Sequence, residues 1–184
     1  MTADQIQQNL DYVASAVRRQ DRCTGVPAIY FLWAGIVLVG FALPDFRPQL
    51  AGVFWLVAGI GGGLLSWWLG ERDVVDAALG RRYGMHWTIG GVGFFLSALP
   101  MITGTDDPGQ VVSSFLLVAG LVYALAGVHL ERPLLWSGLL MLASYLVLVL
   151  FAPPYAWTIT GLVIAVALTW SGLAAQRTRA SDGA

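Results

Sequence analysis

Residues Pro133–Ala152 read PLLWSGLLMLASYLVLVLFA, a run without Asp, Glu, Lys or Arg. About 20 such residues in an α-helix cover the roughly 30 Å hydrocarbon core of a bilayer. A helix is the natural form there, because in lipid every backbone N–H and C=O must be satisfied within the segment. The run is continuous rather than alternating, which does not suit a barrel strand. Five more runs share this character, near 27–43, 51–69, 86–103, 111–129 and 156–175. The expected fold is all-α: a polytopic integral membrane protein with six transmembrane helices.

Composition agrees with those runs. Hydrophobic residues make up 57% of the 184 and charged residues 11%, where a soluble domain carries roughly 25% charged residues. A net charge of -1 leaves no basic face for nucleic acid. The lone cysteine, Cys23, excludes an intrachain disulfide and a cysteine-held metal cluster. The first apolar run starts near Pro27, behind an acidic, glutamine-rich stretch, so no cleavable leader is expected. Every cationic residue is arginine, which points to a GC-rich bacterial genome and hence to the cytoplasmic (inner) membrane.

Arginine placement sets the expected direction of the spans. Arg18, Arg19 and Arg22 precede the first run, and Arg72, Arg81 and Arg82 lie between the second and third. Arg132 lies between the fourth and fifth, and Arg177 and Arg179 follow the sixth. Arg47 alone falls on the other side, where the longest loop carries Asp106 and Asp107. Both termini are therefore expected in the cytoplasm.

The six runs read as three sequential hairpins. Each begins with a tryptophan: Trp33, Trp87, Trp136. The first arms end in Phe41-Ala42-Leu43-Pro44, Ser97-Ala98-Leu99-Pro100 and Phe151-Ala152-Pro153, where proline is expected to stop the helix. Leu56-Val57-Ala58-Gly59 and Leu117-Val118-Ala119-Gly120 match in the returning arms of the first two, and the third offers only Thr160-Gly161. The returns end in Glu71-Arg72, Glu131-Arg132 and Gln176-Arg177. Internal duplication and shared membrane grammar both account for this pattern. The three-hairpin layout resembles the HdeD-like acid-resistance membrane proteins of bacteria, also small six-helix proteins with glycine-rich, proline-ended hairpins. The resemblance covers roughly residues 27–175, rests on layout, implies a role in envelope stress, and transfers no functional residue.

Outside the spans, residues 1–26 are expected to hold a cytoplasmic amphipathic helix and linker. Ile6, Leu10, Val13 and Val17 share one helical face over residues 2–20. That helix suits the inner leaflet or a cytoplasmic protein partner. Residues 71–85 could hold a short helix broken by Gly80 and Gly84. Residues 27–175 form the membrane domain and 176–184 a cytoplasmic tail, frayed over 180–184.

Candidate chemistry gathers at the cytoplasmic rim: Glu71, His86, His129 and Glu131. The two histidines are expected at one depth, where they could ligate haem or a metal, although an interfacial histidine is more simply an amphipathic residue. Glu71 and Glu131, each followed by arginine, read as solvated ion pairs or as a proton-responsive gate. Toward the midplane only Ser113, Ser114, Tyr123, Ser144 and Tyr145 stand out, and such groups mostly bridge helices. Gly59 and Gly63 have the spacing of a helix-packing seam, within the bundle or between copies in a homo-oligomer. No nucleophile elbow, Walker loop or zinc motif is present, so no enzyme, cofactor or metal is expected. Three functional readings stay open: a non-enzymatic protein acting by assembly or interaction, in envelope stress or with a regulatory partner; a channel or facilitator for a small neutral or weakly acidic solute; and a haem- or metal-binding protein using His86 and His129.

Overall fold

The computed structural model describes residues 5–10, 12, 25–71, 77–103 and 108–182. The described residues are helical apart from short turns, and no strand occurs among them. Helix α1 is Pro27–Phe46. Helix α2 is one rod in three pieces: Pro48–Phe54, a π-helical stretch Trp55–Gly59, and Ile60–Glu71. Then follow α3 (Ala77–Thr103), α4 (Pro108–His129), α5 (Arg132–Phe151) and α6 (Ala156–Asp182). Among the described residues, four helices are long and apolar enough to cross a membrane: Pro27–Phe46, Pro48–Gly70, Arg132–Phe151 and Ala156–Ser181. The shorter stretch Ser113–His129 within α4 is apolar as well.

The bundle is organised by two close helix pairs, α1 on α6 and α4 on α5. The α4–α5 turn consists of Leu130 and Glu131, whose N–H groups both donate to the Ala126 carbonyl. Pro133 then sits in the first turn of α5, where its missing N–H costs nothing. So tight a turn brings backbone onto backbone. A Cβ at Gly127 would collide with the Leu135 backbone, and one at Gly138 with the Ala124 backbone. In α1–α6, a Cβ at Gly161 would lie 2.7 Å from Cβ of Phe41, and Ala34 of α1 and Ala165 and Ala175 of α6 are buried. Small residues provide this close approach.

These pairs place the arginines. Tyr83 of α3 reaches Glu131, and Arg179 of α6 donates to the Gly25 carbonyl just before α1. Ser137, early in α5, meets Ser171, late in α6. The exposed Arg81, Arg82, Arg132, Arg177 and Arg179 therefore lie at one end of the bundle. Arg47, between α1 and α2, lies at the other end with Asp45 and Thr158. Among the described residues, five arginines thus share one end and Arg47 stands at the other.

Several expectations are corrected. Residues 77–85 belong to α3 without a break at Gly80 or Gly84; each glycine costs about 1 kcal/mol in a helix interior, and the tie from Tyr83 to Glu131 holds the segment. Pro44 lies inside α1, which runs on to Phe46, and Pro100 lies inside α3. Near a helix end a proline removes a single bond, so the turn falls a few residues later. Residues 176–182 continue α6, so 180–182 are helical rather than frayed, with Thr178 back-bonded to Ala174 and Arg179 pinned to Gly25; residues 183–184 lie outside the described residues. In the N-terminal segment, residues 5–10 are helical, with Ile6 and Leu10 about half exposed. Val13 and Val17 lie outside the described residues.

The matching tetrapeptides differ in conformation and burial. Leu117-Val118-Ala119-Gly120 runs along α4 with Ala119 and Gly120 buried. Leu56-Val57-Ala58-Gly59 falls within the π-helical stretch, with Leu56 and Val57 each 66% exposed. The widened turn begins at Trp55, whose ring packs edge-on to Phe41 at 5.6 Å and over Gly40, where a Cβ would fall 2.5 Å from it.

Candidate functional site

The arginine-bearing end contains a buried carboxylate. Glu131 has no exposed surface, although it stands in a connection between helices. Two features put it there. The two-residue turn leaves it no room to swing outward, and extended backbone at this residue (φ -141, ψ 119) leads straight into α5. The Tyr83 hydroxyl, from α3, donates to Glu131 Oε1. Glu131 is thus enclosed within the bundle rather than solvated, while the Arg132 side chain beside it is exposed. A buried carboxylate is retained only where hydrogen bonds replace its water.

One turn further along α3, His86 Nε2 lies 3.0 Å from the Val122 carbonyl of α4. Its ring stands edge-on to Trp87 at 5.3 Å. Trp87 in turn packs on the buried Tyr123 at 5.1 Å. Tyr83, His86 and Trp87 therefore pin α3 to α4 and to the head of α5.

His86 and His129 do not share a level. A Cβ at Gly90 would meet Val122, and one at Gly93 would meet Val118, which fixes the antiparallel register. At that register His129 stands opposite Tyr83, about one helical turn, roughly 5 Å, from the level of His86. His129 is exposed and His86 half-buried. No group of three or more potential His, Cys, Asp or Glu metal ligands occurs among the described residues. The Glu71 side chain lies outside the described residues. Of the four rim residues, His86 and Glu131 belong to one assembly and His129 stands apart.

The hydroxyls nearer the middle are committed to neighbours. Ser137 Oγ lies 2.9 Å from Ser171 Oγ, and both lie 3.1 Å from the Ala167 carbonyl. Buried Thr160 donates to Ala156, and Trp33 Nε1 donates to Ser66 across α1 and α2. Ser113 and Ser114 are half-buried and also have partners. At the opposite end, the Asp45 carboxylate accepts from the backbone N–H and the hydroxyl of Thr158, at 2.8 and 2.6 Å.

Gly59 and Gly63 form no seam with another helix among the described residues. A Cβ at Gly59 would meet only Trp55 of the same helix, and one at Gly63 would meet nothing described within 4 Å. Gly62 is the glycine of α2 that faces α1, against Ile36 and Trp33.

Sequence reasoning passed over Tyr83 and Asp45. Tyr83 stands one turn before His86, and that spacing was its only visible signal. Asp45 follows an apolar run as any loop aspartate would, and its partner is 113 residues away. No family model matches this chain, and no curated protein or solved structure matches it either.

Proposed function

We propose that this chain is a six-span protein of a bacterial cytoplasmic membrane, with its spans in three sequential hairpins and both termini in the cytoplasm. In this reading it is non-enzymatic and works by interaction at its arginine-bearing face, together with the N-terminal segment, in envelope stress or beside a regulatory partner. Membrane insertion rests on the apolar helices, and α3 and α4 complete the six. Direction rests on the exposed arginines gathered at one end, by the bias that keeps them on the cytoplasmic side. The layout resemblance to HdeD-like proteins is compatible with an envelope role.

The observation that carries the interaction reading is how the bundle's hydroxyls are used. Ser137 bonds across to Ser171 and Ala167 of α6, Tyr123 packs on Trp87 of α3, and Thr160 bonds back within α6, uses that favour a packed bundle over a solute path. Glu131, the buried carboxylate among the described residues, lies at the face where partners would dock.

Two measurements test this. Deleting residues 1–22 should abolish the stress phenotype or partner interaction of the full chain while leaving it in the membrane. Reconstituted into liposomes, the chain should add no flux of small neutral or weakly acidic solutes. Robust flux would favour a facilitator, and a truncated chain with unaltered phenotype and interactions would remove the N-terminal segment from the account.

A further inference from the structure

Helix α6 carries a notch near its arginine-bearing end. Trp170, Leu173, Ala174 and Arg177 line it, at positions i, i+3, i+4 and i+7 and hence on one face. Ala174 is the small floor, and its volume is about 40 Å³. Trp170 is 60% and Leu173 41% exposed. Arg177 is exposed and makes no hydrogen bond or ion pair with the described residues. The same holds for Arg81 and Arg82 at that end, while Glu131, the nearby carboxylate, is enclosed. Positive charge at this face is thus left without a described counter-charge.

From this we infer that the notch binds one anionic phospholipid. Its phosphate pairs with the Arg177 guanidinium, and the start of an acyl chain lies over Ala174 between Trp170 and Leu173. The proposal rests on the membrane reading above and names a ligand for the same face. Charge complementarity selects the occupant: a guanidinium binds phosphate in a fork of two N–H donors. Spacing fits it as well. Seven residues of helix separate Trp170 from Arg177 by ~10 Å, which sets the ring toward the glycerol and the guanidinium among the headgroups, as interfacial Trp and Arg prefer. A zwitterionic lipid would fill the notch but bring its own cation beside Arg177.

The test is native mass spectrometry of the purified full chain, delipidated and then offered phosphatidylglycerol or phosphatidylcholine. The wild type should retain phosphatidylglycerol preferentially. Arg177→Gln should weaken that retention about five-fold, one cation's share near an anionic surface. Arg177→Lys should recover most of it, and Arg47→Gln, at the opposite end, should change nothing. Gel filtration and circular dichroism establish that each variant is folded. Equal retention of both lipids, or an Arg177→Gln chain that holds phosphatidylglycerol as the wild type does, overturns the lipid site alone. A chain that leaves the membrane fraction under an alkaline carbonate wash overturns the membrane reading, and the site with it.

Discussion

Asp45 caps a helix that begins 111 positions later: its carboxylate takes both the backbone N–H and the hydroxyl of Thr158, in the first turn of α6. A carboxylate at a helix N-terminus satisfies an orphan donor and complements the helix dipole. Here the capping group belongs to the end of α1, so the bond also joins the first long helix of the bundle to the last. Asp45→Ala should destabilise the chain by about 1–2 kcal/mol, and Thr158→Val, which keeps the backbone donor, by about half that. Thermal unfolding in detergent measures both.

Tyr83→Phe removes the hydroxyl that donates to the enclosed Glu131 carboxylate. The expected loss is about 1–3 kcal/mol, more than for a surface substitution. Glu131→Gln keeps an acceptor and should cost less. A double-mutant cycle between the two should show coupling of about 1 kcal/mol or more, as residues in direct contact do. Additive effects would mean that the two groups do not depend on each other.

The two glycine-rich regions should respond in opposite ways. Gly127→Ala or Gly138→Ala pushes apart the α4 and α5 backbones and should cost about 1–3 kcal/mol or more, seen as aggregation or loss of a single gel-filtration peak. Gly63→Ala meets open space and should be neutral or slightly stabilising, since alanine is the better helix former. A strong defect at Gly63 instead would point to a contact between copies.

Ala152 ends α5 in the left-handed region (φ 39, ψ 54), a conformation that glycine adopts without strain. Ala152→Gly should therefore raise thermal stability by about 0.5–1 kcal/mol, against the usual penalty for adding a glycine. A lower midpoint would show that the strain is absorbed elsewhere.

The helices were legible in the sequence because their cause is local and repeated: long charge-free runs leave no alternative to helix. The gathering of Arg81, Arg82, Arg132, Arg177 and Arg179 at one end was legible for the same reason, since each arginine flanks the end of a run. What stayed hidden depends on pairing. Glu131 reads as a solvated residue beside Arg132 until the two-residue turn and Tyr83 enclose it. Gly59 and Gly63 have the right spacing, yet Gly127, Gly138 and Gly161 form the close contacts, because only packing decides which glycines face a neighbour. The surroundings of the shared Leu-Val-Ala-Gly tetrapeptide were hidden likewise: one copy lies along the α4 core, and the other in a π-helical turn of α2.

Chemical labelling of single cysteines in intact cells tests the central claim, six spans with the arginine-bearing end inside, most directly. In a Cys23→Ser background, Arg47→Cys should react with a membrane-impermeant maleimide in intact cells. Arg82→Cys, Arg132→Cys and Arg179→Cys should react only after the membrane is opened. Labelling of Arg132→Cys in intact cells, or equal labelling of Arg47→Cys and Arg82→Cys, would contradict the account.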